Sequence, residues 1–162
     1  MTRSFAEYVA AEKPDADTVQ QAARYYVAEK TDFLSPEKMQ ERVVEVTGDP
    51  AKVQNALIQL QDDPAAVENI LMAMFSTEWE IGPVEQERIT RSFAAARNKL
   101  PVIELGIIAI VTMYGMYLLA TGGKKEETIV HKDGSYHTTK YEPPTGPIKE
   151  LVTLIKKGVG TG

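Results

Sequence analysis

Between Leu105 and Gly123 the chain carries no charged side chain; it reads LGIIAIVTMYGMYLLATGG. Such a run must be taken out of water, and few arrangements achieve that. As a helix it extends about 28 Å, close to the roughly 30 Å hydrocarbon thickness of a bilayer. Its flanks suit a span. Glu104 stands at the entry, where a carboxylate can reach an interface, and Lys124 and Lys125 follow where snorkelling cations belong. Tyr114 and Tyr117 fall in the last third, the place of an aromatic belt. Gly106, Ala109, Thr112 and Gly115 offer small surfaces to a neighbouring helix. The alternative is the central helix of a soluble bundle, apolar on all sides and coated by amphipathic partners. The helices available to coat it are short and rich in Ala and Val, so we read residues 100–123 as a single transmembrane helix.

The preceding residues, 1–99, read as an acidic bundle of short helices. A first helix is predicted from about Ser4 to Glu12 and ends before Pro14. A second runs from about Asp17 to Lys30, with Val19, Ala22, Ala23, Tyr26 and Val27 on one face. A third starts with Ser35 as N-cap and Pro36 as first helical residue, Leu34 stapling onto Met39, and stops at Gly48. DPAKVQNAL at 49–57 is echoed by DPAAVENIL at 63–71. In both, Asp caps and Pro opens a helix, and the short link predicts an antiparallel helical hairpin. STEWEIGP at 76–83 is predicted to be a loop, with Trp79 as a partly buried lid on the core. Pro83 opens a last helix to about Lys99, with Val84, Ile89, Phe93 and Ala96 or Arg97 turned inward.

The tail, 124–162, contains EETIVHKDGSYHTTKYEPP, which reads as a β-hairpin over about 127–142. With Asp133-Gly134 as a two-residue turn, His131 faces Tyr136 and Val130 faces His137. His131 and His137 then lie on opposite faces and cannot share a metal. A short amphipathic helix follows at about 147–157, its stripe being Ile148, Leu151, Val152 and Ile155. That stripe suits either a lipid surface or packing on protein. The predicted fold is therefore mainly α: an N-terminal bundle of short helices, one long apolar helix, a small β-hairpin and a C-terminal amphipathic helix.

Charge narrows the function. Residues 1–104 hold 18 acidic against 11 basic side chains, whereas 124–162 hold 5 against 7. An acidic front half is a poor partner for a phosphate backbone, so no nucleic-acid partner is expected. The absence of cysteine excludes disulfides and thiolate zinc sites. No phosphate-binding glycine loop, zinc-protease motif or nucleophile elbow is present, and the carboxylates sit on solvent faces, so no enzyme, cofactor or small-molecule substrate is expected. Basic residues flank the span evenly and do not decide its orientation; the N-terminus lacks a secretory apolar run, so the N-terminal domain is placed in the cytoplasm. The functional expectation is a non-enzymatic single-pass membrane adaptor, with the bilayer and a protein partner, or its own copies, as partners. Two alternatives are an effector that oligomerises through its membrane helix and a soluble helical structural or scaffold protein with 105–123 as its core.

Overall fold

Short polar residues set the helix starts. Ser4 caps α1 (Phe5–Glu12) in a capping box with Glu7. Asp15 caps α2 (Ala16–Lys30) and Ser35 caps α3 (Pro36–Thr47). Gly48, at φ +69°, supplies the left-handed residue that ends α3. Asp49 caps α4 (Pro50–Asp62). Asp63 closes α4 and also caps α5 (Pro64–Trp79). Further elements are α6 (Pro83–Arg97), α7 (Leu105–Thr121), β1 (Glu126–Val130), β2 (Tyr136–Lys140) and α8 (Pro147–Gly160). The computed structural model describes residues 3–98, 105–121, 126–130, 136–140 and 146–160.

The uncharged segment is the centre of the bundle and not a membrane span. No helix among the described residues is long and apolar enough to cross a membrane. The segment forms the seventeen-residue α7, and α2, α3, α4, α5 and α8 all pack against it. Ile108, Ala109, Val111, Met113, Tyr114, Met116 and Leu119 are buried there. A helix apolar on every side needs cover on every side, and five helices cover most of it, leaving Ile107, Ile110, Tyr117 and Leu118 partly buried. Burying each large side chain contributes about 1.5–3 kcal/mol. The single-pass reading and the membrane localisation are corrected accordingly. The predicted shortage of coating helices fails because α8 and the longer α5 both join the coat.

Several boundaries move with it. The predicted loop at 76–83 is helical as far as Trp79, because Phe75, Ser76, Glu78 and Trp79 are all buried on α5. One shared residue, Asp63, separates α4 from α5. The two helices meet at this corner and both pack on α7, with α4 also on α8 and α5 also beside β1, more than on each other as a hairpin would. Val84, predicted inward, is 69 % exposed. The tail's two strands pair antiparallel, with Glu126 opposite Lys140 and Val130 opposite Tyr136. That register is one residue out from a two-residue Asp133-Gly134 turn, so the predicted tight hairpin is also corrected. The expectations for His131, Asp133 and Gly134 lie outside the described residues. β1 runs beside α5. Ile148, Leu151, Val152 and Ile155 are buried as α8 packs on α3, α4 and α7, so this stripe faces protein.

On the far side of α5, α1 closes an aromatic cluster. Phe5, Tyr8, Phe75, Trp79 and Phe93 contact one another with ring centroids 5.0–6.4 Å apart. The Trp79 indole donates to the Arg3 carbonyl at 2.9 Å, so its polar edge is satisfied under the short helix.

Candidate functional site: a charged joint and an apolar rim at one end of the bundle

α2 and α6 run antiparallel, and the last turn of α5 ends beside the last turn of α2. A chain of polar contacts fixes this arrangement. Lys30 Nζ on α2 lies 2.6 Å from Glu78 Oε2 on α5 and 3.6 Å from Glu85 Oε2 on α6. The Tyr26 hydroxyl donates a short hydrogen bond to Glu85 and lies 3.1 Å from Glu78 Oε2. A phenol has one proton, so Tyr26 serves one carboxylate at a time and Lys30 holds the other. Arg88 Nη1 donates to Glu85 Oε1 at 2.9 Å. Farther out, Arg91 Nη2 donates to Glu29 at 2.7 Å, and Arg88 Nε stands 3.5 Å from the same carboxylate.

These groups are deep. Tyr26 is fully buried, and Glu78 and Glu85 are nearly so. Burying a carboxylate is costly unless it is paired and hydrogen-bonded. Three carboxylates, Glu29, Glu78 and Glu85, meet three cations, Lys30, Arg88 and Arg91, and the charge balances. Burial pushes the Tyr26 phenol far above its usual value, and the hydrogen bond to Glu85 and the negative charges of Glu78 and Glu85 add to the rise. The hydroxyl therefore stays a donor.

The two turns flanking this joint carry exposed apolar side chains. After α2, Asp32 and Phe33 both take left-handed backbone, at φ +57° and +64°, which costs about 1–2 kcal/mol per residue for non-glycines. Local bonds offset it: Phe33 N–H donates to the Ala28 carbonyl at 2.6 Å, and Thr31 Oγ1 donates to the Val27 carbonyl at 2.7 Å. The result holds Phe33 out in solvent, 77 % exposed. Ile81, between α5 and α6, is 59 % exposed, and Val84, on the first turn of α6, is 69 % exposed. Lys30 bridges to Glu78 and Glu85, so all three apolar residues belong to the same end of the bundle. A fourth, Ile58, is half exposed on α4.

One other surface offers less. The exposed side of α3 forms an open groove of about 410 Å³ lined by Glu37, Gln40, Glu41, Val44 and Glu45. Among the described residues no group of His, Cys, Asp or Glu could hold a metal ion.

The residues singled out in the sequence are placed as follows. Thr112 is buried and returns its hydroxyl to the Ile108 carbonyl at 2.7 Å. Ala109 is buried, and Gly115 lies under the Met74 sulfur. Gly106 has open space around it. The buried Tyr114 accepts from Arg42 Nη1 at 3.0 Å and packs on Tyr117 with centroids 5.2 Å apart. Their neighbours are this chain's own helices. Glu104, Lys124 and Lys125 lie outside the described residues. Sequence reading missed the joint, since Tyr26, Lys30, Glu78 and Glu85 are spread over 60 positions. Its one advance signal was the pair of acids bracketing Ile81-Gly82.

No protein-family model matches the chain, and neither a curated protein nor a solved structure gives a significant match.

Proposed function

We propose that this chain is a non-enzymatic helical scaffold that engages a protein partner, another chain or a second copy of itself, through the end of the bundle that carries Phe33, Ile81 and Val84. The observation that carries this reading is the contrast in exposure. Among the described residues the helices bury most large apolar side chains, including Ile108, Val111, Met113, Met116 and Leu119 of α7, yet these three stand in water at the same end. Apolar side chains in a cluster at an otherwise polar surface are the usual anchors of protein interfaces. The strained backbone at Asp32 and Phe33 supports it, because such strain persists where the surroundings hold a side chain in a required position. The polar cluster beside them does not suggest catalysis. Its carboxylates, lysine and phenol are directed at one another.

The test is site-specific photo-crosslinking in the native host, with a benzophenone amino acid at position 33, 81 or 84 and at Lys38 as control. Discrete products from the first three positions, absent from Lys38, are expected, and their mass distinguishes a second copy from another protein. Equal labelling at all four positions, or none at any, would overturn the proposal.

A further inference from the structure

We infer that Tyr26, Lys30, Glu78 and Glu85 form a latch that fixes the α5–α6 turn against the end of α2, and so sets the spacing between the two halves of the apolar rim. The consequence for docking rests on the interaction reading above; the latch itself does not.

Phe33 lies three residues beyond Lys30. Ile81 and Val84 lie between Glu78 and Glu85. The two halves of the rim therefore hang on opposite sides of one cluster. The turn joining α5 to α6 has its own local bonds, Ile81 N–H to the Glu78 carbonyl at 3.1 Å and Gln86 Nε2 to the Trp79 carbonyl at 3.0 Å, and these tie α5 to α6 but neither to α2. It holds three residues, Glu80 to Gly82, and Gly82 sits at φ +153°, a backbone that residues with side chains rarely adopt. Apolar packing beneath it interdigitates and sets the helix spacing, and charged hydrogen bonds add a requirement for particular atoms at particular distances.

The latch also has two grips on two helix ends. Glu78 is on the last turn of α5 and Glu85 on the first turn of α6, and both reach the same Lys30 and the same Tyr26 hydroxyl. Removing either carboxylate leaves a cation facing less negative charge in a partly dry site, which is costly. Arg88 holds Glu85 from within α6, at 2.9 Å. Glu29, paired with the more exposed Arg91, braces the outside and is not part of the grip. A partner or a modification that competes for Lys30 would free the turn and disperse the rim.

The absence of cysteine in the chain makes a direct test simple. Spin labels on Phe33→Cys and Val84→Cys report the distance between the two turns in the full-length protein. With the latch intact, a single narrow distance distribution is expected. Adding Glu78→Gln and Glu85→Gln should abolish the narrow peak, as should Lys30→Met alone, while Glu29→Gln should leave it in place. Far-ultraviolet circular dichroism identifies which variants remain folded; if the double carboxamide variant does not fold, Lys30→Met decides. A broad distribution in the parent, or a folded Lys30→Met or Glu78→Gln/Glu85→Gln variant that keeps the parent's narrow peak, would overturn the latch. The measurement uses the isolated protein, so a failure of photo-crosslinking would refute the docking reading and leave the latch standing.

Discussion

Lys30 Nζ stands 2.6 Å from Glu78 Oε2, and this contact joins the last turn of α2 to the last turn of α5. Both partners are largely shielded from water. Lys30→Met is therefore expected to lower stability by about 2 kcal/mol, mainly because Glu78 is left buried with less positive charge. Glu29→Gln breaks only pairs nearer the surface and should cost under about 1 kcal/mol. Urea denaturation followed by Trp79 fluorescence checks both. Equal effects from the two would show that depth does not rank these pairs.

Tyr26 predicts an alkaline limit. Its phenol is pushed up by burial and by two carboxylates. The neutral form is favoured in the folded chain, so its contribution is full below pH about 10, the unfolded value. It is lost as pH rises above that. Phenolate absorbance should show a tyrosine that ionises only on unfolding, and in Tyr26→Phe that group should be missing. Stability should also fall less steeply above pH about 10 in the variant. Identical alkaline slopes in the two proteins would contradict the arrangement. Tyr8 is raised too, by burial first and then by Glu12, so a residual slope is expected in the variant.

The core placement of α7 has a mutational signature. Met116 is fully buried, and Met116→Ala should cost about 2–5 kcal/mol through lost contacts and a cavity. Ala109→Leu should cost about 1–3 kcal/mol by overpacking. A lipid-facing helix would accept the leucine. Thermal or urea denaturation in detergent-free buffer reads both.

Two glycines should behave in opposite ways. A Cβ at Gly158 would collide with the backbone carbonyl of Val46, where α8 crosses α3. Backbone cannot move aside cheaply, so Gly158→Ala should destabilise by about 1–3 kcal/mol. At Gly115 the atom met is the Met74 sulfur, at 3.1 Å, on a flexible side chain. The better helix propensity of alanine, roughly 1 kcal/mol, should nearly offset that contact. Comparable losses at both sites would contradict the packing of α8 on α3.

Much of the local structure was legible because it is written in short-range chemistry. Ser35-Pro36, Asp49-Pro50 and Asp63-Pro64 announce helix starts through caps and first-turn prolines, and Gly48 announces a stop. The stripes of α2 and α8 were legible as periodicity. The environment of α7 was not. A helix with no polar face presents the same sequence to lipid as to five surrounding helices, and only the sum of their faces decides. The extension of α5 to Trp79 was hidden for a related reason. Glu78 looks like a surface residue until Lys30 and Tyr26 arrive from α2. The strand register was misread by one residue because Asp133-Gly134 suggested the tightest turn. The cluster that joins the helix ends was invisible, since its residues have no fixed spacing along the chain.

The most direct measurement concerns α7. In a chain without native cysteine, Met113→Cys and Met116→Cys each place one thiol at the centre of the bundle, and Lys156→Cys places one on its surface. Labelling with a water-soluble maleimide in detergent-free buffer should be rapid at 156. At 113 and 116 it should appear only as urea unfolds the protein, following the loss of helix. Labelling at 113 or 116 in the native protein as fast as at 156, or a chain that stays dispersed only in detergent, would contradict the placement of α7 as the core.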